Sequence, residues 1–431
     1  MSQGVLGFKY EEEKHATGMT GLAGLPVYLD LLHAMGLPEL IGRHLQVKQR
    51  GWTDAQMVLS LMLMNIAGGD CVEDLGKVEK DERFCRILRR MEQQRMKRWE
   101  RREMKRRWRK ERWRSVPSPS SAFRYLSAFH DGDQDSKRVT GKAFIPVPNE
   151  HLLGLSKVNQ EMAAFMQKRD PKKIATLDQD ATLVETAKRD ALFSYQGFKS
   201  YQPLNTWWAE QQMVLHTEFR DGNVLAGYEQ LRVLKESLSL LTNQEWAEVC
   251  FIPNAIGHRK DAPIYRYLAV REAMGSMDLS GMPQQSFPFQ TLQMDLQHYK
   301  LFGLVTNMDW DGERLIHWHR ERCGKSEEAH SVMKGDFAGG KLPGGDFGEN
   351  AAWWWIMILA MNFNTIMKRL VLGGSWASRR MKAIRFSFIN IPGRIVERSR
   401  ELIVRLVKGH PALELYLEAR RRIMAMMPVY G

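Results

Sequence analysis

The sequence has few cysteines and no long apolar run, and these shortages exclude several classes of protein. Four of its 431 residues are cysteine (Cys71, Cys85, Cys250 and Cys323), and no two form a CxxC pair. This spacing argues against a zinc ribbon or a disulfide framework and fits a reducing cytoplasm. The N-terminus lacks the basic and apolar segments of a signal peptide. The longest apolar run, residues 351–361, is 11 residues long, whereas a membrane span takes about 20. We therefore predict a soluble, cytoplasmic protein with no membrane partner.

The positive charge of the chain is concentrated in one segment. Residues 95–114 contain twelve Lys or Arg and three Glu, a local charge of +9 out of the chain's +13. The segment has no Gly or Pro, so we predict a helix. Clustered cations with interleaved tryptophans favour a nucleic-acid partner, because Lys and Arg displace counterions from phosphates and aromatic rings stack on bases. A solvated helix face, a flexible connector and a helix lying on a membrane surface remain open as alternatives.

The order of the predicted elements indicates an α/β protein. Helical spacing of apolar residues covers 24–92, where Thr53 and Gln56 form a capping box. We predict strands at 173–186, 213–223, 247–255, 265–274 and 299–308, and helices at 224–241, 312–334 and 349–428. Strands that alternate with helices are typical of an α/β core. The tryptophan runs at 207–208 and 353–355 are predicted to pack in the core.

Two aspartates stand at the end of the first predicted strand. Asp178 and Asp180 are two residues apart in the segment TLDQDAT, so their side chains share one face of a strand. Carboxylates in this position are suitable ligands for Mg²⁺, which prefers hard oxygen donors. The alternative interpretation is that they are turn residues bonding to nearby backbone.

A second group of charged residues lies in the predicted helix 312–334. Glu327 and Lys334 are seven residues apart and therefore on one helix face, with Glu328 just off it. A carboxylate and a lysine in this arrangement suit a site that holds both a metal and a phosphate. The alternative is a solvent-exposed charged helix. His319 and His330 lie nearby but form no HxxxH or HExxH zinc pattern.

Three stretches of the chain, at 176–211, 304–334 and 347–362, together resemble bacterial insertion-sequence transposases of the DDE type. The branch they resemble carries a Tyr-Arg-Glu-Lys signature on the helix of the catalytic Glu. The resemblance implies an RNase H-like α/β catalytic core with a β-rich insertion, flanked by helical N- and C-terminal regions. The implied boundaries are 1–130 for the N-terminal region, 131–172 for a linker and helix, 173–348 for the core with its insertion at 247–308, and 349–431 for the C-terminal region.

The resemblance also implies which residues act. The first catalytic Asp corresponds to Asp180, with Asp178 as the alternative, and the catalytic Glu to Glu327, with Glu328 as the alternative. In the family these carboxylates hold two Mg²⁺ or Mn²⁺ ions that drive attack on a phosphodiester. The DNA-binding residues implied here are Arg322 and Lys334 near the scissile bond, and Arg98, Arg102, Arg106, Arg109 and Lys110 on the basic helix. The implied partners are terminal inverted repeats and target DNA, bound by a homodimer.

The sequence departs from the family pattern in three places. His319 stands where the signature Tyr is usual, and four residues separate Arg322 from Glu327 where three are typical. The strand that carries the second catalytic Asp in relatives is missing after residues 224–241. Asp221 and Asp261 are the nearest carboxylates, and neither ends a suitable apolar strand. We therefore expect weakened chemistry, or an inactive DNA-binding remnant or regulator. A weaker alternative is an RNA-binding protein.

Overall fold

The chain divides into two compact units, which are described separately. The larger unit comprises residues 1–242 and 326–431, and the smaller one residues 243–325. The computed structural model describes residues 17–95, 97–99, 101–102, 114–138, 142–173, 175–241, 266–273, 291–294, 297–306, 308–321, 325–398 and 401–427.

Helices dominate both ends of the larger unit. In chain order the α-helices are α1 (Leu25–Ala34), α2 (Leu37–His44), α3 (Asp54–Ala67), α4 (Leu75–Lys80), α5 (Glu82–Arg95), α6 (Pro119–Ser127), α7 (Gly132–Asp135), α8 (Glu150–Arg169), α9 (Gln230–Ser239), α10 (Gly312–Glu321, in the smaller unit), α11 (Lys325–Ser331), α12 (Phe347–Ile366), α13 (Met381–Ile384) and α14 (Ala412–Met426). Short 3-10 turns lie at Val72–Asp74 and Gly374–Trp376. Wider π-helical segments lie at Val332–Asp336, Met367–Leu372 and Arg385–Ile389.

The strands form small antiparallel sheets. They are β1 (Met19–Thr20), β2 (Leu177–Ala181), β3 (Val184–Glu185), β4 (Leu192–Phe193), β5 (Lys199–Tyr201), β6 (Leu204–Trp208), β7 (Met213–Glu218), β8 (Arg266–Ala273), β9 (Thr291–Met294), β10 (Gln297–Thr306), β11 (Gly393–Arg398) and β12 (Glu401–Arg405). The sheet orders are β2-β6-β7, β3-β5-β4 and β1-β11-β12 in the larger unit, and β8-β10-β9 in the smaller one.

Helix α12 forms the centre of the larger unit, where it contacts α3, α8 and β7. Trp353, Trp354, Trp355 and Trp208 are buried, so the predicted core role is confirmed for these four. Trp207, the other member of the 207–208 run, is only partly buried. The segment Phe347–Leu372 is long and apolar enough to cross a membrane, but 83% of its most apolar window is buried inside the protein. A core helix shows the same pattern.

Buried polar groups connect α12 to the sheet. Asn362 accepts a hydrogen bond from the Val214 amide at 3.0 Å and donates to the Asn159 side chain at 2.7 Å. The Trp354 indole donates to Thr217 Oγ1 at 3.0 Å, and Thr217 in turn donates to Asn205. Because buried polar groups are costly when unpaired, these bonds fix how the helix lies on the sheet.

Several sequence predictions can be compared with these elements. The capping box is confirmed, since Thr53 Oγ1 accepts from the Gln56 amide and Gln56 Oε1 accepts from the Thr53 amide. The helix predicted at 224–241 begins later, at Gln230, because residues 225–229 form turns and Glu229 has a positive φ of 51°. The predicted strand 247–255 lies outside the described residues.

The prediction of a purely helical C-terminal region is wrong at residues 393–405. Strands β11 and β12 form an antiparallel hairpin there, and β1 extends the sheet by pairing with β11. The β-branched residues of the two strands, such as Ile395 and its partner Val404, favour this strand pair. The described residues are therefore a mixture of helices and small sheets, compatible with the α/β class, and the RNase H-like topology stays a prediction.

Candidate functional site

The first element of the site is strand β2, which carries both predicted aspartates. Asp178 lies opposite Trp207 and Asp180 opposite Asn205 on β6, so the two carboxylates share one face of the sheet. Within the described part of the chain, β6 is the strand that β2 pairs with. The Asp180 side chain is about 45% exposed, and its Oδ1 accepts a hydrogen bond from the Ala181 amide at 2.9 Å.

The second element is α11 with the π-helical segment that follows it. His330 on α11 is buried, and its Nδ1 lies 3.6 Å from Oδ2 of Asp180. Lys334 lies in the π-helical segment, where its Nζ donates to the Leu183 carbonyl at 3.3 Å. Leu183 follows β2 by two residues. This helix end therefore packs directly over the end of the aspartate strand.

The pKa of His330 responds to burial and to three charged groups near the end of β2. Burial lowers the pKa of His330 below its usual range, and the positive charge of Lys334 acts in the same direction. The carboxylates of Asp180 and Glu327 act on His330 in the opposite direction, raising its pKa. The structure thus places His330 against Asp180, with Lys334 bonded to the backbone just beyond β2 and Glu327 one helical turn before His330 on α11.

The alternative glutamate faces a different set of cations. The charge of Glu328 acts on Lys368, whose pKa is lowered by burial and raised by this carboxylate. Glu328 also contributes to raising the pKa of Arg380, for which the hydrogen bond to Asp336 is the main cause. Adjacent positions on a helix point about 100° apart, which explains why Glu327 and Glu328 have different neighbours.

No third carboxylate completes a compact metal cluster with Asp180 and Glu327 among the described residues. The group of three possible ligands found there within 4.8 Å of one another is Asp70, Cys71 and Asp74, in the N-terminal region. Asp221 is buried and bound by Arg138, whose Nη2 and Nε lie 2.6 and 3.1 Å from its oxygens. Asp261 lies outside the described residues.

The described donors therefore do not fit a two-metal site. A two-metal centre needs shared carboxylates that can bridge or flank both ions. Among the described residues, no three possible ligands that include Asp180 lie within 4.8 Å of one another. We derive no reaction step through a metal from it.

The structure describes some of the predicted DNA-binding residues and not others. Arg98 and Arg102 are described and exposed to solvent, as phosphate-binding side chains need to be. Lys334 is partly buried beside the aspartate strand. Arg322, Arg106, Arg109 and Lys110 lie outside the described residues, as does most of the predicted basic helix.

Sequence reasoning did not assign His330 a place in this site. The signal was nevertheless present, because His330 is three residues after Glu327 and four before Lys334. Residues with these spacings share one helix face.

Comparison with known proteins supports a DDE transposase. Residues 290–428 match the model of a family described as transposase DDE domain group 1. The matched segment is about a third of the chain and includes Glu327, His330 and Lys334, but not Asp180. The chain has no significant match among curated proteins or among solved structures.

Proposed function

We propose that this protein is a transposase-family DNA-binding protein that recognises the ends of an insertion sequence. The observation that carries the proposal is that the helix bearing Glu327 and His330, and Lys334 just after it, pack on the end of the Asp180 strand, with His330 Nδ1 3.6 Å from Asp180 and Lys334 bonded to Leu183. Glu327, His330 and Lys334 lie in the segment that matches the DDE domain family. Two carboxylates and a lysine beside a strand end form a site suited to a phosphodiester and a divalent cation.

Each residue has a distinct role in this proposal. Asp180 and Glu327 would lie where active members of the family hold Mg²⁺ or Mn²⁺, and because the described donors do not fit a two-metal site, we assign them no catalytic step here. Lys334, with Arg322 of the signature, would contact phosphates near the scissile bond. Arg98 and Arg102 would contact phosphates further along the bound DNA end. A homodimer would hold two such ends, one per protomer.

The proposal includes a second candidate, a DNA-binding regulator or remnant that does not cut. It is favoured by the described residues, among which no three possible metal ligands that include Asp180 lie within 4.8 Å of one another. It is also favoured by the strand that is missing after residues 224–241, where the resemblance places the second Asp. We therefore expect end binding to be retained and cutting to be weak or lost.

Binding to three nucleic acids tests the proposal. Purified full-length protein is titrated against the DNA that flanks its reading frame, an unrelated duplex and an RNA duplex, each over a range of salt concentrations. We expect the flanking DNA to bind most tightly, with affinity that falls steeply as salt rises. Equal binding to both DNAs would contradict end recognition, and tighter binding to RNA would replace DNA as the partner.

A further inference from the structure

A cavity of about 190 Å³ lies in the larger unit, where the start of α12 faces strand β7. Residues of α7, α8 and α9 complete its wall. Asp180, His330 and Lys334 are not among the residues that line it, so the cavity is separate from the site described above. An apolar cavity of about 150 Å³ holds one benzene molecule. This cavity therefore has room for a small organic ligand.

Aromatic side chains form the apolar part of the cavity wall. Four of them line it: Phe129, Phe219, Phe347 and Trp355. Phe347, Ala351 and Trp355 follow one another at intervals of four residues on α12, so they share one face of the helix. Ala351 carries only a methyl group and leaves space between the two rings. Such a wall favours methylene groups, because their transfer out of water is favourable.

The charged side chains of the wall are mostly acidic, although the chain has a net charge of +13. Four carboxylates line the cavity against one guanidinium: Asp131, Asp135, Glu218 and Glu236, against Arg232. Arg232 already donates to Glu218, Glu229 and Glu236 at 2.6–2.7 Å. The side chains of Asp135 and Glu236 are 41% and 45% exposed. A cleft lined by one sign of charge attracts ligands of the opposite sign, so the cavity favours a cation.

Asp135 is fixed beside the first turn of α12. The Gly348 amide donates to His130 Nδ1 at 3.4 Å, and His130 Nε2 lies 3.1 Å from Asp135 Oδ2. Arg138 is bonded to Asp221 at 2.6 Å and stays 3.7 Å from Asp135. A carboxylate can accept about four hydrogen bonds. Asp135 can therefore accept a further bond from a cationic ligand.

Glu236 is fixed further along α12. Its Oε2 lies 3.5 Å from His216 Nε2, and the hydrogen bond with His216 lowers the pKa of Glu236 to about 2, so this carboxylate is ionised at neutral pH. The His216 ring centroid is 6.1 Å from that of Trp355. Trp355 is seven residues after Gly348, which is about 10 Å along a helix axis. An acidic group therefore stands near each end of the apolar wall.

We infer that this cavity binds a linear aliphatic diamine, with one ammonium at Asp135, the other at Glu236 and the methylene chain along the face of α12. The inference goes beyond DNA binding and does not depend on it. Two ammonium groups match the two exposed carboxylates, and the rings of Phe347 and Trp355 also attract cations through their faces. A chain of about five methylene groups with a hydrogen bond at each end suits a separation of about 10 Å.

Calorimetric titration of the full-length protein, free of nucleic acid, tests the inference. The probes are 1,5-diaminopentane and pentylamine, which has the same chain but one ammonium. The test protein is Asp135→Asn/Glu236→Gln, which removes both charges and keeps the shape of the side chains. The matched control is Asp133→Asn/Glu414→Gln, which removes the same charge from exposed positions, the first of them also on α7. Circular dichroism reports whether each variant is folded.

We expect wild-type and control proteins to bind 1,5-diaminopentane, and pentylamine to bind about tenfold more weakly because one charged hydrogen bond is lost. The test variant should bind the diamine at least about tenfold more weakly than wild type. If wild-type protein does not bind the diamine, or binds pentylamine equally well, the inference is wrong, whether or not the variants fold. Equal losses in the test and control variants would also overturn it, because net charge would then account for the binding.

Discussion

The polar groups beside the two outer strands of the β2-β6-β7 sheet differ in how they are paired. On the β7 side, Asn362, Thr217 and Trp354 are buried, and each makes hydrogen bonds of 2.7 to 3.0 Å to other groups of the protein. On the β2 side, Asp180 is half exposed and faces a histidine, a lysine and a glutamate. The first arrangement satisfies each group within the protein. The second leaves charge available to a ligand.

This difference makes the β2 side, and not the β7 side, the candidate for ligand binding. Fully paired buried networks determine one packing arrangement and contribute to stability. Charged groups that are partly exposed contribute little to stability but retain affinity for phosphates and cations. We therefore expect substitutions of the buried polar groups to change the free energy of unfolding, and substitutions of the exposed cations to change DNA binding.

The largest expected effect is on the buried side. Asn362→Leu removes the partners of Asn159 Oδ1 and of the Val214 amide, whereas the Val214 carbonyl keeps its bond from Asn159 Nδ2. Each buried group left unpaired costs about 1–3 kcal/mol, so we expect a loss of about 4 kcal/mol in the free energy of unfolding. Urea unfolding followed by circular dichroism measures it. Asn390→Leu, at an exposed position, is the control, and an equal loss in both variants would break the comparison.

The basic segment should affect DNA binding without affecting stability. Arg98→Ala/Arg102→Ala removes two exposed cations, so the slope of log affinity against log salt should become shallower by about two. Filter binding or anisotropy over a salt series measures the slope. Lys157→Ala/Lys382→Ala removes the same charge from exposed positions elsewhere. If the control variant changes the slope by the same amount, the DNA responds to the net charge of the protein and not to the basic segment.

Lys334 should have a smaller effect of the same kind. Lys334→Met removes one cation beside Asp180 and its bond to Leu183, so we expect the salt slope to fall by about one. The same salt series measures it, with Lys341→Met as the exposed control. An unchanged slope would mean that the DNA does not reach the aspartate strand.

The smallest effect is expected on stability at the site itself. Asp180→Ala and Glu327→Gln alter exposed or half-exposed carboxylates, so the free energy of unfolding should change by no more than about 0.5 kcal/mol. Urea unfolding next to Asn362→Leu makes the contrast direct. A loss as large as that of Asn362→Leu would show that these carboxylates have a structural role.

Some of this fold could be predicted from the sequence because the signals were local. The capping box at Thr53 and the aspartate strand depend on residues close together in the chain, and both agree with the structure. The burial of Trp353 follows from its apolar surroundings. Periodicity in these segments is strong enough to determine the element without tertiary information.

Other features depend on tertiary contacts that the sequence pattern does not reveal. The β11-β12 pair was not evident because charged residues flank its short apolar stretches, and one of them, Glu397, pairs with the distant Arg86. The role of His330 depends on the end of β2 lying beside α11. The cavity beside α12 likewise follows from the fold, since Asp135 and Glu236 line it from helices that are far apart in the sequence.

We expect this chain to bind the DNA ends of its element and to have lost efficient cutting. The most direct measurement incubates wild-type, Asp180→Ala and Glu327→Ala proteins with the DNA flanking the reading frame, in Mg²⁺ and in Mn²⁺. Native gels then report binding, and denaturing gels report strand breaks. We expect retarded DNA with intact strands for all three proteins. Strand breaks made by wild type and abolished in both variants, or an absence of retarded DNA, would contradict it.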